Sequence, residues 1–96
     1  MVYLLHFNQP YRHAQHYIGY CEEEHLKERF ERHLKGNGAK LIQVVTQAGI
    51  TLEIARTWPG ADRTFERQLK NRKKSKDLCP ICRANKRRNN NVGNHD

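Results

Sequence analysis

The chain of 96 residues and 11.4 kDa is long enough for one small domain, and its formal net charge is +8. No apolar run approaches the roughly 20 residues of a transmembrane helix, and the beginning lacks the features of a secretory signal, so we expect no membrane contact. Three cysteines, an odd number, argue against a disulfide scaffold. We therefore expect a cytoplasmic protein, associated with the nucleoid if its source is a prokaryote.

The first part of the chain predicts two strands. Residues 2–7 form a short apolar run typical of a strand, and the polar residues 8–10, which include a proline, are expected to end it. Residues 15–20 form a second run that is rich in tyrosine and isoleucine. Together the two runs predict an antiparallel hairpin with a long polar connection over residues 8–14.

A helix is expected to follow the hairpin. Three glutamates at residues 22–24 suit a helix N-terminus. Leu26, Phe30 and Leu34 then recur at helical spacing and predict one apolar stripe. Gly36 is the expected end of this helix.

The remaining pattern predicts two helices separated by a third strand. Residues 39–48 favour a short helix, although their apolar residues would also suit a strand. Residues 51–58 alternate between apolar and polar side chains and predict a strand. Residues 61–73 predict a helix with Phe65 and Leu69 facing inward.

The order β-β-α-α-β-α predicts a small α+β domain in residues 1–73. Its architecture would be a three-stranded antiparallel sheet flanked by helices. Residues 74–96 are polar and basic, and they are expected to form a largely disordered tail.

The positive charge is concentrated towards the C-terminus. Residues 1–62 carry as many acidic as basic side chains, whereas residues 63–88 carry eleven Lys and Arg against two acidic residues. Such a segment is typical of a protein that binds a polyanion, and we expect DNA. The residues expected to contact it are Lys70, Arg72, Lys73, Lys74, Lys76 and, in the hairpin connection, Arg12. The alternatives are a solvated tail and, less favoured because apolar residues are not interleaved, a membrane surface.

Several polar side chains on the predicted elements could carry chemistry. Tyr3 and Tyr17 lie on neighbouring strands, and Gly19 leaves room for a group to approach the sheet closely. Arg29 and His33 share one helix face, where the arginine could hold a phosphate and the histidine could move a proton. Taken singly, each is better explained as a half-buried aromatic, an ion-paired arginine or a packed histidine.

Glu66 is an acidic residue of the last predicted helix with basic neighbours. A single carboxylate in a positive field suits Mg²⁺, which proteins hold by one or two carboxylates together with phosphate and water. The alternative is an ordinary ion pair with Arg63 or Lys70, both within helical reach.

The order of these residues along the chain resembles the GIY-YIG nuclease superfamily, in particular its small single-domain members. The Tyr-Ile-Gly triplet at residues 17–19 matches the second motif, whereas the first motif keeps only Tyr3. The segments that resemble the arginine helix, the loop after it and the glutamate helix are residues 26–33, 36–39 and 66–70. The resemblance covers residues 2–73.

The resemblance implies hydrolysis of DNA phosphodiesters by direct attack of water, with a divalent metal. Glu66 would bind Mg²⁺ or Mn²⁺, and Arg29 would hold the scissile phosphate. Tyr3, Tyr17 and His33 would line the site, and one tyrosine would help to activate the water. Because the chain has no room for a recognition domain, we expect little sequence specificity, and either a homodimer or a targeting partner protein. The alternative is a non-catalytic nucleic-acid-binding module on the same fold.

The segment Cys79-Pro80-Ile81-Cys82 has the spacing of half a zinc site. A closed zinc site needs four ligands, and the sequence has no second cysteine pair. The residues considered for completing it are His95, Cys21, His25 and His33. We therefore expect no stable zinc in the isolated monomer, the alternative being a site completed by a histidine or by a second chain.

Overall fold

A computed structural model describes residues 1–72 and 75–84, which form one antiparallel sheet with helices on both faces. The strands are β1 (Val2–Tyr11), β2 (Ala14–Tyr20) and β3 (Leu52–Trp58), in the order β2-β1-β3. The helices are α1 (Leu26–Leu34), preceded by a 3-10 turn (Glu23–His25), α2 (Lys40–Gln47), α3 (Arg63–Arg72) and α4 (Ser75–Leu78). The predicted α+β class, with a three-stranded antiparallel sheet flanked by helices, is confirmed.

The first half of β1 is the centre of the structure, and its two faces belong to two hydrophobic clusters. Tyr3, Leu5 and Phe7 pack on the face that α1 and α2 cover. Val2 and Leu4 pack on the opposite face, against α3 and the residues that follow it. A strand that is buried on both faces needs a nearly continuous apolar run instead of alternation, which explains why residues 2–7 are apolar except for His6.

The hairpin differs from the predicted one. β1 continues through residues 8–10 to Tyr11, and the turn contains only Arg12 and His13. The prediction of a long connection over residues 8–14 is therefore wrong. Pro10 is tolerated because this part of β1 extends beyond the last pair with β3, Phe7 with Leu52, and so has no neighbour there that needs its missing N–H. The register between β1 and β2 also shifts between His6 and Tyr11.

The apolar stripe of α1 is only partly correct. Leu26 and Phe30 pack against the core, but Leu34 is 49% exposed. The buried residue at this end of the helix is instead His33. A histidine thus takes the inward position that the apolar pattern assigned to a leucine.

The segment after α3 is ordered where it is described. Residues 75–78 and 80–84 are helical, and Cys79 between them is fully buried against the sheet. Residues 75–84 of the expected disordered tail are thus helical except at Cys79, and two cysteines and Ile81 of this segment pack on the second cluster. The rest of the expected tail lies outside the described residues. Within the described ranges, no helix combines the length and apolarity required to cross a membrane.

Candidate functional site

A buried hydrogen bond links β1 to α1 at the centre of the predicted site. The Oη atom of Tyr3 lies 2.8 Å from Nε2 of His33, and both side chains are almost completely buried. His33 Nδ1 is buried and has no hydrogen-bond partner among the described residues. A neutral imidazole has one donor and one acceptor nitrogen, so the tautomer of His33 decides whether the phenol or the ring donates this bond.

Two glycines provide the space that this pair occupies. A Cβ atom at Gly19 would lie 2.5 Å from Cζ and Oη of Tyr3, and one at Gly38 would overlap the ring of His33. The close approach anticipated at Gly19 is thus confirmed, and the approaching group is the tyrosine from the neighbouring strand. Gly38 has the same role for the histidine, and the sequence analysis missed it.

Tyr17 completes an aromatic cluster around the hydrogen bond. Its ring centroid lies 6.4 Å from that of Tyr3 and 5.6 Å from that of His33. Tyr17 is half-buried and lines a cleft of about 240 Å³ that opens beside α3. It is therefore the tyrosine of the cluster that a solute in this cleft can touch.

Arg29 lies next to the cluster and is free to bind an anion. It is half-buried, and within the described part of the chain it has neither a hydrogen-bond nor an ion-pair partner. Arg29 lies one helical turn before His33 on α1, and its positive charge lowers the pKa values of both Tyr3 and His33. An ordinary ion pair with a neighbouring glutamate is therefore not what holds this arginine.

Glu66 reaches the same region from α3. Its carboxylate forms an ion pair with Lys70, whose Nζ lies 3.2 Å from Oε2 of Glu66, and 18% of the glutamate side chain is exposed. The ammonium of Lys70 lies 5.9 Å from the centroid of the Tyr17 ring, and the charge of Glu66 is felt at Tyr3. Tyr3, Tyr17 and His33 are therefore in contact, and Arg29 and Glu66 lie beside them, although Glu66 also makes the ordinary ion pair.

The protonation states in the cluster follow from burial. Burial, followed by the nearby Tyr17, raises the pKa of Tyr3 far above its ordinary value, so its hydroxyl stays protonated. Burial, followed by the charges of Arg29 and Arg32, lowers the pKa of His33. Near pH 7 the histidine is therefore neutral.

The residues predicted to contact nucleic acid are only partly brought together. Lys70 borders the cleft, and Arg72 and Lys76 are exposed further along the same segment. Lys73 and Lys74 lie outside the described residues. Arg12 lies at the hairpin tip, nine positions from Tyr3 along a strand, a separation of up to roughly 30 Å. Its guanidinium lies over the ring of Tyr11 instead of near the cluster.

A second polar cluster lies on the opposite face of the sheet. The His₂Cys₂ cluster consists of His6, His16, Cys79 and Cys82. All four ligand atoms lie within 4.8 Å of one another, so the cluster could hold a metal ion. One chain therefore brings four ligand atoms together, and the residues beside the two cysteines are two histidines of the hairpin instead of those first considered.

Burial also affects the titration of this cluster. It lowers the pKa of His16 to about 4, with contributions from His6 and Lys76, and it lowers the pKa of His6. It raises the pKa of Cys82 to about 11, helped by Cys79. Near pH 7 and without metal, the cluster therefore contains neutral imidazoles and a Cys82 thiol.

The residues first considered as additional ligands lie elsewhere. His33 bonds to Tyr3 on the other face, His25 is exposed, and Cys21 packs in the cluster that α1 and α2 cover. His95 lies outside the described residues.

No protein-family model, curated protein or solved structure matches this chain.

Proposed function

We propose that this chain is a divalent-metal-dependent DNA endonuclease of the GIY-YIG type. The observation that carries the proposal is the grouping of five side chains from β1, β2, α1 and α3 beside the edge strand β2. They are Tyr3, Tyr17, Arg29, His33 and Glu66. This set contains a tyrosine that lines the cleft, an unpaired cation for a phosphate and a carboxylate for a metal, which are groups that phosphodiester hydrolysis requires.

Arg29 is the proposed phosphate ligand. Its guanidinium is half-buried and free of carboxylate partners in the described residues, so its charge is not neutralised before an anion arrives. A planar guanidinium can donate two parallel hydrogen bonds to phosphate oxygens. It would also offset the negative charge that develops as water attacks phosphorus.

Glu66 fits Mg²⁺ or Mn²⁺ as a single carboxylate ligand. The described residues contain no second group of three or more acidic, histidine or cysteine ligands besides the His₂Cys₂ cluster. The ion would therefore be shared between Glu66, substrate phosphate and water, as is usual for Mg²⁺ at phosphate sites. Its contribution when bound would be to offset charge on the leaving oxygen.

Tyr17 is the tyrosine that the attacking water can reach, because it is half-buried and lines the cleft, whereas Tyr3 is almost completely buried. A phenol is a poor base by itself. Tyr17 would therefore orient the water, and a divalent metal held by Glu66 would make the proton of that water easier to lose. The buried hydrogen bond between Tyr3 and His33 would fix the aromatic cluster against which Tyr17 packs.

The basic segment would hold DNA without selecting a sequence. Lys70, Arg72 and Lys76 are exposed cations that can contact phosphates. Phosphate contacts carry no base information, so weak sequence preference is expected. A targeting partner or a second copy would then determine where, and on how many strands, the DNA is cut.

Glu66→Gln tests the metal role, because it keeps the size of the side chain and removes its charge. We expect loss of plasmid nicking with Mg²⁺ while binding to a short duplex, followed by fluorescence anisotropy, stays the same or tightens. Glu31→Gln makes the same charge change at an exposed position of α1 and is the matched control.

An unchanged nicking rate in Glu66→Gln would overturn the metal assignment. Arg29→Gln provides an independent test: it should also abolish nicking, because it removes the proposed ligand of the scissile phosphate. A folded wild type that binds DNA and never cuts it would support the non-catalytic binding module instead.

A further inference from the structure

The His₂Cys₂ cluster has the geometry of a closed tetrahedral site. Zn–N bonds of about 2.0–2.1 Å and Zn–S bonds of about 2.3 Å put tetrahedral ligands about 3.3–3.4 Å apart for two nitrogens and about 3.5 Å apart for nitrogen and sulfur. Nδ1 of His6 lies 3.4 Å from Nε2 of His16. The Cys79 sulfur lies 3.5 Å from Nδ1 of His6, and the Cys82 sulfur lies 3.6 and 3.3 Å from the two histidine nitrogens.

The fold supplies these ligands from two rigid elements. His6 and His16 are direct cross-strand partners in the hairpin, so their side chains leave the same face of the sheet side by side. Cys79 and Cys82 flank the start of a helical turn, where the backbone N–H of Cys82 donates to the sulfur of Cys79 at 3.4 Å. An N–H···S bond of this kind stabilises a thiolate and supports the orientation of a metal ligand.

The ligand types select the metal. Two thiolates and two imidazoles suit Zn²⁺, whereas Mg²⁺ prefers oxygen ligands. All four positions are filled by protein and two of the four residues are buried, as in structural rather than catalytic zinc sites.

We propose that the His₂Cys₂ cluster binds one structural Zn²⁺ that fastens residues 75–84, which are the C-terminal part of the basic segment, to the β1–β2 hairpin. Within residues 75–84, the side chains that pack on the second cluster are Leu78, Cys79, Ile81 and Cys82, and a metal bond would add to the stability that this short segment gains by packing. The segment carries the exposed cations Lys76 and Arg83.

The zinc would also connect the two faces of the molecule. The cleft beside Tyr17 is lined by His16 and Lys70, and by Ser75 at the start of the fastened segment. Holding Ser75 in place therefore fixes one wall of this cleft. The effect on the cleft matters only if the proposed function is correct, since it concerns where DNA phosphates contact the basic segment. Zinc binding itself does not depend on the proposed function.

Cobalt titration of the metal-free, reduced wild-type chain tests the proposal. One equivalent of Co²⁺ should produce the intense visible bands of a tetrahedral ion and a sulfur-to-cobalt charge-transfer band, and one equivalent of Zn²⁺ should remove both. Zinc should raise the Tm by at least roughly 10 °C. Octahedral cobalt without charge transfer, or a Tm that zinc does not change, would overturn it.

Variants locate the site. Cys82→Ser and His16→Asn should each weaken or abolish the charge-transfer signal, whereas His13→Asn, at the exposed turn of the same hairpin, should leave it unchanged. If Cys82→Ser does not fold, the wild-type titration still decides. A signal that survives both ligand variants would contradict the assignment.

A DNA arm separates this proposal from the nuclease. Zinc loading should steepen the salt dependence of duplex binding, because an ordered basic segment neutralises more phosphates. Equal slopes with and without zinc would refute the proposed fastening. A protein that binds cobalt tetrahedrally but never binds DNA would keep the zinc site and defeat the proposed function.

Discussion

Gly19→Ala is the substitution that tests the geometry of the Tyr3–His33 pair most sharply. The added methyl group would lie 2.5 Å from the end of the Tyr3 ring and 2.9 Å from Cε2 of Tyr17. Tyr3 is 1% exposed and cannot swing into solvent. Its ring must therefore shift within a packed core, and the hydrogen bond to His33 must lengthen or break.

The expected cost has two parts. Forcing an extra methyl group into a packed core costs about 1–3 kcal/mol. Losing the buried hydrogen bond between Tyr3 Oη and His33 Nε2 adds about 1 kcal/mol. Together they predict a loss of about 2–4 kcal/mol in the free energy of unfolding, which a stable small domain survives.

Urea unfolding followed by the fluorescence of Trp58, the single tryptophan, measures this loss. Gly60→Ala gives a comparison of a different kind: Gly60 has a φ of +81° and no atom near an added Cβ, so this variant measures backbone strain of about 1–2 kcal/mol, which Gly19→Ala does not introduce. Tyr3→Leu should relieve the clash, so the double variant Gly19→Ala/Tyr3→Leu should lose at least about 1 kcal/mol less than the sum of the single variants. Additive losses would refute the reasoning.

Three further outcomes are expected. Tyr3→Phe should lower the free energy of unfolding by about 1 kcal/mol through the lost hydrogen bond; an unchanged value in urea titrations would show that this bond contributes nothing. Because folding lowers the pKa of His33, the contribution of this histidine to the free energy of unfolding is complete above its unfolded pKa of about 6.5 and is lost as the pH falls below that value. Between pH 7.5 and pH 5.5, the free energy of unfolding should therefore change less in His33→Gln than in wild type. Equal changes in the two proteins would contradict the assigned pKa direction. Lys76→Gln/Arg83→Gln should reduce the slope of log affinity against log salt by up to about 0.9 per lost phosphate contact, whereas Lys35→Gln after α1 should not, and identical slopes would remove the basic segment from the DNA interface.

Residues 2–7 and 51–58 illustrate what the sequence can establish. A nearly continuous apolar run and an alternating run are both typical of strands, so both strands could be predicted from the local pattern. The helices also follow from local pattern and from glycines at their ends: α2 is followed by Gly49 in the left-handed region.

The register of the hairpin could not be predicted in this way. A hairpin that closes with Tyr11 opposite Ala14 would by simple counting pair His6 with Gly19, whereas the irregularity between His6 and Tyr11 pairs it with His16. A bulge depends on twist and packing over the whole sheet. Without that register, the two histidines carry no sign that they face each other, so the His₂Cys₂ cluster was missed.

The two clusters differ in how visible they are. The Tyr3–His33 site follows an order of residues that resembles a known family, and its glycines mark close approach. The second cluster combines residues from opposite ends of the chain, and only the cysteine half has a recognisable spacing. Truncation after residue 74, an obvious test of the basic tail, would also remove Cys79 from the core, so neutralising substitutions are the cleaner experiment.

Relaxation of supercoiled plasmid by the zinc-loaded wild-type chain, with and without added Mg²⁺ or Mn²⁺, tests the proposed nuclease most directly. The metal must be withheld by omission, since EDTA would also remove ions from the His₂Cys₂ cluster. We predict nicked product only with the added ion, at a rate that His33→Gln lowers. Intact plasmid under every condition, from folded protein that still binds DNA, would contradict the nuclease and leave a binding module.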